Sequence, residues 1–224
     1  GSLRALLDAR AAAVGAPELT RWIADVAVGM AYLYSMGVEH RDLKSANCLL
    51  DEAQKRVKVA DFGLSKSEDT RTHTMTQAGG GVAGTFAFMA PELMGEAVFT
   101  EKSDVYSLAI VIWECATRRA PWEGLNQMQL INFVVYKGER PPLTGEEEAA
   151  APPEIVALMR RCWAADAGAR PAFAEIMQET GVMCERIRLA TPDGDQRSAP
   201  ASDPATAGAA LEAPGASCAV PNPV

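Results

Sequence analysis

The chain has 224 residues, a length that allows one domain or one domain with a tail. Its 21 basic and 29 acidic residues give a formal net charge of -8, which argues against nucleic acid as a main partner because that role needs a basic face. Hydrophobic residues make up 48% of the chain, as in a globular core. The longest apolar run, Leu108 to Trp113, is far too short to span a bilayer, so no membrane segment is expected in this chain.

The number and spacing of the cysteines indicate the redox compartment of the protein. They stand at positions 48, 115, 162, 184 and 218, with no Cys-x-x-Cys pair. An odd, scattered set predicts reduced thiols in a cytoplasmic protein, not a disulfide framework or a zinc site. No signal peptide opens the chain. The chain starts at Gly1 without a Met, so we expect a fragment whose natural beginning lies upstream.

Two helices are predicted ahead of the first polar motif. Residues Gly1 to Asp8 form an amphipathic opening of one or two helical turns. Glu18 to Gly37 is predicted to be a longer helix, because apolar residues recur every three or four positions and Gly37 suits a helix end. We interpret this stripe as core and not as a cofactor site; its members are Leu19, Trp22, Ile23, Val26, Met30 and Leu33.

The next stretch, His40 to Asn47, places a carboxylate, an amine and a carboxamide in one short loop. Two short strands are predicted after it, Cys48–Leu50 and 56–60, joined by a polar turn. Asp61-Phe62-Gly63 follows the second strand, and Gly63 permits backbone angles that would turn Asp61 toward a metal. Phosphoryl transfer needs such a set: a base, a cation and oxygen ligands for Mg²⁺.

With Ala90-Pro91-Glu92 downstream, this ordered set resembles the catalytic loop and metal-binding motif of eukaryotic protein kinases. The other interpretation, that Asp42 and Asp61 are ordinary turn residues, does not explain the whole ordered set. The resemblance implies Asp42 as catalytic base and Lys44 as stabiliser of the transferring phosphoryl group. It also implies ATP and Mg²⁺ as cofactors, held by Lys44, Asn47, Leu49 and Asp61, with Mg²⁺ on Asn47 and Asp61. His40, Arg41, Phe62 and Gly63 have supporting roles.

Residues 64 to 88 carry many hydroxyl side chains and Gly79-Gly80-Gly81. A plain mobile surface loop is one interpretation. The one we favour is an activation segment whose phosphate pairs with Arg41, as in similar kinases, with an upstream activating kinase as a partner. Thr85 together with Lys44 resembles the serine/threonine pattern, which implies protein substrates with Ser or Thr.

Glu92 stands among apolar residues and needs a cation if it is buried. Arg170 occupies the place of the kinase arginine that pairs with it. Ser103 is predicted as the N-cap of an apolar helix that contains Asp104. The resemblance implies that Asp104 accepts hydrogen bonds from the backbone of the His40 loop, as structural support.

Further helices are predicted at 126–136, 153–162 and 171–189. The expected fold is mainly α with a small β hairpin: the large, C-terminal lobe of a protein kinase. It covers residues 1–189, and 190–224 is expected to be a disordered Ala/Pro-rich tail.

The printed sequence contains no Gly-rich phosphate loop, no strand lysine and no helix glutamate to pair with it. A partial kinase sequence explains this most simply; a gene without the small lobe is the other explanation. The expected function is a serine/threonine kinase in signal transduction whose fragment is inactive alone. The alternative is a non-catalytic, kinase-derived binding module. The upstream sequence would distinguish the two.

Overall fold

A computed structural model of the chain describes residues 1–9, 14–51, 53, 56–61, 66–67, 86–95 and 99–190. Within these residues, helices predominate and two small antiparallel sheets lie beside them. The helices are α1 (Leu3–Ala9), α2 (Ala16–Ser35), α3 (Pro91–Gly95), α4 (Glu101–Thr117), α5 (Gln127–Ile131), α6 (Gly145–Ala150), α7 (Pro153–Cys162) and α8 (Phe173–Ala190). The strands are β1 (Val38–Glu39), β2 (Cys48–Leu50), β3 (Val57–Val59) and β4 (Lys66–Ser67).

Helix α2 leads the chain to the polar loop. It starts two residues before the predicted Glu18, because Pro17 in its first turn has the backbone angle that a helix start needs. It ends at Ser35, and Gly37 turns the chain with a left-handed φ of 69°. Its apolar stripe is buried as predicted, except that Leu33 is only partly buried. The helix packs most extensively against α8.

Helix α4 is the central element, since its side chains are buried without a break from Ser103 to Cys115. The prediction that Ser103 is the N-cap was wrong. Thr100 occupies that position, one turn earlier, and its N–H donates to Ser103 Oγ at 3.4 Å. The Ser103 hydroxyl therefore satisfies a backbone donor from inside the first turn.

The predicted hairpin is confirmed: β2 and β3 pair antiparallel, with Leu49 opposite Lys58. Ser2 also forms a bridge with Leu49, so the beginning of the chain lies along β2. A second ladder pairs β1 with β4, with Glu39 opposite Lys66. Sequence reasoning missed this ladder, because two-residue strands have no readable alternation.

The remaining helices follow the predictions in part. Helix α7 has the predicted bounds, and α8 begins at Phe173, two residues after the predicted start. The helix predicted over 126–136 is α5 followed by a π turn at Asn132–Tyr136. Helix α6 was not predicted; Thr144 caps it by accepting the Glu147 N–H at 3.2 Å.

Several predictions fall outside the described residues: Phe62, Gly63, Thr85, nearly all of the segment proposed to carry a phosphate, and the tail from residue 191 onward. Among the helices that are described, none is both long enough and apolar enough to cross a membrane.

Candidate active site

His40 joins the polar loop, residues 40–47, to the end of β3. Its side chain is fully buried, and Nε2 lies 3.1 Å from the carbonyl oxygen of Ala60. Nδ1 accepts the backbone N–H of Asp42 at 3.3 Å. Through Nε2 and Nδ1 the ring joins the residue before Asp61 to the backbone of Asp42.

Asp104 holds the same loop from the head of α4. Its carboxylate accepts the backbone N–H groups of His40 at 3.0 Å and of Arg41 at 3.1 Å. Tyr34 donates its hydroxyl to Asp104 Oδ2 at 2.7 Å. Burial holds the pKa of the Asp104 carboxyl above its ordinary value, against the opposing pull of these hydrogen bonds. The expected contact between Asp104 and the loop backbone is present, and Tyr34 adds a donor that sequence reasoning missed.

Arg41 has a left-handed backbone, with φ of 67°. For a residue with a side chain, this conformation costs about 1–2 kcal/mol. The hydrogen bond from the Arg41 N–H to Asp104 offsets part of that cost, because a charged acceptor makes a stronger bond than a neutral one. Arg41 immediately precedes Asp42, so its strained backbone angles set the direction in which the chain enters Asp42.

Asp42, Lys44 and Asn47 form one hydrogen-bonded group. Lys44 Nζ donates to Asp42 Oδ2 at 2.7 Å. Asn47 Nδ2 donates to the same oxygen at 3.0 Å and to the Asp42 carbonyl oxygen at 2.8 Å. The other carboxylate oxygen, Oδ1, is buried and has no hydrogen-bond partner among the described residues. One oxygen of Asp42 is therefore held by two donors, and the other has an open acceptor position among the described residues.

Asp61 directly follows Ala60, whose backbone N–H and carbonyl groups both form hydrogen bonds with the loop. The Ala60 N–H donates to the Asn47 carbonyl at 2.9 Å, and the Ala60 carbonyl faces His40. Asp61 is exposed and has a left-handed φ of 65°. Asp61 itself thus has a backbone conformation that is unusual for a residue with a side chain, and Gly63 lies outside the described residues. Leu49, on β2, is 43% exposed.

These residues fit a magnesium–nucleotide complex. The NH₂ group of Asn47 donates to Asp42, so its amide oxygen is the atom that could ligate a metal, and Asp61 supplies an exposed carboxylate. Carboxylate and amide oxygens are the hard donors that Mg²⁺ takes, and it commonly binds through one or two carboxylates plus substrate phosphates. Among the described residues there is no cluster of three or more His, Cys, Asp or Glu that could hold a metal without such phosphates.

Glu39 pairs with Arg41, which sequence reasoning missed. Arg41 Nε and Nη2 both donate to Glu39 Oε2, at 2.9 and 2.6 Å. The spacing offers no clear signal for this contact, because Arg41 lies beyond the end of β1 and has a left-handed backbone. The Arg41 guanidinium also lies over the ring of Phe99, 5.4 Å from its centre.

A second ionic group joins Glu92 to the C-terminal helices. Arg170, whose side chain is wholly inaccessible to solvent, donates to both oxygens of Glu92 at 2.7 and 2.9 Å. Burial alone would raise the pKa of Glu92, but the hydrogen bonds from Arg170 outweigh it, so that the pKa lies below its ordinary value. The Tyr106 ring packs between Arg170 and Arg140, each 5.2 Å from its centre.

Glu114, near the end of α4, is a buried carboxylate like Asp104. Arg4 of α1 donates to it at 2.9 Å and also contacts the carbonyl of Arg118 at 3.2 Å. Burial raises the pKa of Glu114, and Arg4 opposes that effect. An acid inside an apolar helix signals a buried partner, but the sequence does not say which cation supplies it.

This mainly helical fold, in which the loop 40–47 is joined by hydrogen bonds to the residue before Asp61, is the large lobe of a protein kinase. The sequence model described as protein tyrosine and serine/threonine kinase matches residues 1–180, and the chain belongs to that family.

The chain is similar to several curated kinases of the tyrosine-kinase-like kind. It is 40% identical over 178 residues to serine/threonine/tyrosine-protein kinase HT1 of Arabidopsis thaliana, covering 79% of this chain and 43% of that protein. It is 44% identical over 155 residues to the probable serine/threonine-protein kinase drkD of Dictyostelium discoideum, covering 68% and 11%. It is 40% identical over 172 residues to receptor-interacting serine/threonine-protein kinase 4 of Mus musculus, covering 74% and 22%. The chain thus spans less than half the length of these relatives.

Proposed function

We propose that this chain is part of a protein serine/threonine kinase that transfers the γ-phosphate of ATP to Ser or Thr of protein substrates. The observation that carries the proposal is the orientation of Asp42. Lys44 and Asn47 hold Oδ2, while buried Oδ1 has no partner among the described residues. A general base needs this arrangement: an oriented carboxylate with an acceptor oxygen left for the proton it takes.

Asp42 Oδ1 would accept the proton as the substrate hydroxyl oxygen bonds to the γ-phosphorus of ATP, while the bond from that phosphorus to the bridging oxygen breaks and ADP leaves with the electron pair. Lys44, beside Asp42, offsets negative charge on the group being transferred. Asn47 and Asp61 would hold Mg²⁺, which when bound would neutralise charge on the phosphates. Leu49 lies on the strand next to Asn47 and offers an apolar side chain to the adenine. In this proposal the protein supplies mainly position and charge, which carry most of the catalysis in phosphoryl transfer.

The choice of Ser or Thr rests on Lys44 with Thr85 in the sequence, and on the names of the relatives, most of which are described as serine/threonine kinases. One of them is described as a serine/threonine/tyrosine kinase. We therefore propose Ser and Thr as the acceptors. A peptide library phosphorylated by the whole protein, followed by phosphoamino-acid analysis, tests this. Mainly phosphotyrosine would overturn the acceptor assignment, and no transfer to any residue would overturn the kinase proposal.

The alternative is a kinase-derived binding module that docks partners without catalysis. It would be favoured if the whole protein had no Gly-rich phosphate loop upstream of Gly1. Retention of the four chemical residue types, Asp42, Lys44, Asn47 and Asp61, favours the enzyme. The transfer assay on the whole protein separates the two functions.

A cytoplasmic location is a further part of the proposal, and an upstream kinase is proposed as a partner that modifies the chain without being required for its activity. The thiols of Cys48, Cys115 and Cys162 are free and buried, and burial raises the pKa of Cys48 and of Cys162 to about 12, which keeps these thiols protonated.

Hydroxyl residues between Ser65 and Thr76 are the candidates for modification by the upstream kinase. The cation that the resemblance assigns to such a phosphate, Arg41, is bonded to Glu39 in the structure.

A further inference from the structure

The side chains of Glu39 and Arg41 form a closed pair beside the catalytic loop. Both Nε and Nη2 of Arg41 donate to Glu39 Oε2, at 2.9 and 2.6 Å. These two N–H groups form one edge of the guanidinium, the edge that would grip an incoming anion in bidentate fashion. Any anion approaching that edge must displace Glu39.

The pair is shielded from solvent. The side chain of Arg41 is 22% exposed and that of Glu39 17% exposed. Partly buried charges are screened by salt much less than exposed ones, so the attraction persists at physiological ionic strength. Phe99 covers one face of the guanidinium and adds a cation–π contact.

Arg41 is thereby held at both ends. Asp104 accepts its backbone N–H, and Glu39 and Phe99 hold its side chain. Its left-handed φ of 67° needs such support, because a strained backbone persists only where its surroundings fix it. The next residue is Asp42, so the support reaches the base through one peptide bond.

Glu39 also belongs to β1, where it lies opposite Lys66 of β4. The chain reaches β4 five residues after Asp61. Glu39 therefore contributes its backbone to the ladder beyond Asp61 and its side chain to the residue before Asp42. It is the point at which these two parts of the site meet.

We propose that Glu39 is a positioning residue of the catalytic loop: its carboxylate neutralises Arg41 and holds the strained backbone before Asp42, in place of an added phosphate. This inference rests on the proposed kinase function. Its consequence is that the catalytic loop is in order without any phosphate on the chain. Kinase activity of the whole protein then persists after protein phosphatase treatment.

The test uses the whole protein that contains this chain. Wild type, Glu39→Gln and Glu39→Asp are assayed before and after phosphatase treatment, with Glu146→Gln, on the exposed side of α6, as the matched control. Wild type and control should keep kcat within about twofold after treatment. Dephosphorylated Glu39→Gln should lose about tenfold in kcat, the equivalent of one hydrogen bond to a charged group, with little change in KM for ATP. Glu39→Asp, which keeps the charge, should recover part of the loss.

A fall in wild-type kcat on phosphatase treatment as large as the fall in Glu39→Gln would overturn the inference. Equal kcat for dephosphorylated wild type and Glu39→Gln would overturn it as well. In either case the enzyme is active, so the proposed function stands. If wild type transfers no phosphate at all, both the function and the positioning role are wrong.

The pair itself has a readout that does not depend on activity. A double-mutant cycle of Glu39→Gln and Arg41→Gln, measured by thermal unfolding of the whole protein, should give a shift in Tm for the double variant smaller than the sum of the single shifts. Additive shifts would show that the two side chains are not coupled in solution, and the inference would fall for that reason.

Discussion

The hydroxyl of Tyr34 donates a 2.7 Å hydrogen bond to Asp104 Oδ2, joining helix α2 to the head of helix α4 directly behind the catalytic loop. The Tyr34 ring stacks on Phe173 of α8, with ring centres 5.6 Å apart. Burial and the charge of Asp104 raise the pKa of Tyr34, so its hydroxyl stays protonated and remains a donor. The Tyr34 side chain thus connects α2 to α4 and α8, and Asp104 connects this group to the loop.

Replacement of Tyr34 by Phe should lower the free energy of unfolding by about 1.5–3 kcal/mol, the usual value for a hydrogen bond to a charged group. The stacked ring is retained, so the loss reports the hydroxyl alone. Chemical denaturation measures it. The matched control is Tyr32→Phe on the same helix, whose side chain is 65% exposed and which should change stability by less than about 0.5 kcal/mol. Equal, small effects of the two substitutions would contradict the role of the Tyr34–Asp104 bond.

Replacement of Asp42 by Asn should remove most phosphotransfer in the whole protein and leave its fold intact. The amide keeps one oxygen for Lys44 and Asn47 but cannot take a proton from the acceptor hydroxyl. Loss of a general base costs about 10²–10⁴-fold in rate. Steady-state kinetics measure it, and circular dichroism checks the fold. Asp8→Asn, at an acid whose side chain is 64% exposed, serves as the control with unchanged turnover. Near-full activity of Asp42→Asn would disprove the assignment of the base.

Replacement of Arg170 by Ala should destabilise the protein by about 3–5 kcal/mol, because it leaves the Glu92 carboxylate without its partner in a largely buried position. Arg170 also donates to the carbonyl groups of Lys102 and Ala164, which lose their donors as well. The exposed pair of Arg186 and Glu154 offers the control, since Arg186→Ala should cost at most about 1 kcal/mol. If both variants unfold at the wild-type temperature, the Glu92–Arg170 pair does not hold these elements together.

Glu92 also makes stability depend on pH, with a sign that follows from its pKa. The folded-state pKa is lowered, so ionised Glu92 stabilises the fold above its unfolded value of about 4.3. That contribution disappears as pH falls through the lower, folded pKa. Unfolding free energies measured between pH 7 and pH 3 should therefore fall less steeply below pH 4.3 in Glu92→Gln than in wild type. Parallel curves would show that Glu92 does not titrate with the fold.

The sequence was most informative where chemistry lies in neighbouring residues. Asp42, Lys44 and Asn47 share one loop, so their types and spacing predict a common site, and the structure joins them by hydrogen bonds. Helix α2 and the β2–β3 hairpin were predictable because burial imposes a period on their residues.

Contacts set by tertiary packing were harder to predict. Nothing in the stripe of α2 distinguishes Tyr34, which reaches Asp104, from Tyr32, which faces solvent. We predicted Ser103 as the N-cap instead of Thr100, because the two side chains stand one turn apart and have the same hydroxyl chemistry. Glu39 and Arg41 are near neighbours in sequence, yet their contact depends on the extended backbone of β1, a strand too short to predict.

The last prediction concerns the 224 residues alone: this chain should bind ATP weakly and should not phosphorylate a substrate at a useful rate. Asp42, Lys44, Asn47 and Asp61 supply the base, the charge and the metal ligands of the proposed site, but Asp61 and Leu49 are exposed among the described residues. The printed sequence has no Gly-rich loop or strand lysine to align the phosphates, and alignment carries much of this catalysis. Purified chain and a longer protein that includes the upstream residues should be compared by nucleotide titration and by transfer to a Ser/Thr peptide, each beside its Asp42→Asn variant. Activity in the longer protein alone, abolished by Asp42→Asn, is the expected result. Equal, Asp42-dependent rates in both would mean that the lobe alone aligns ATP and that the prediction is wrong.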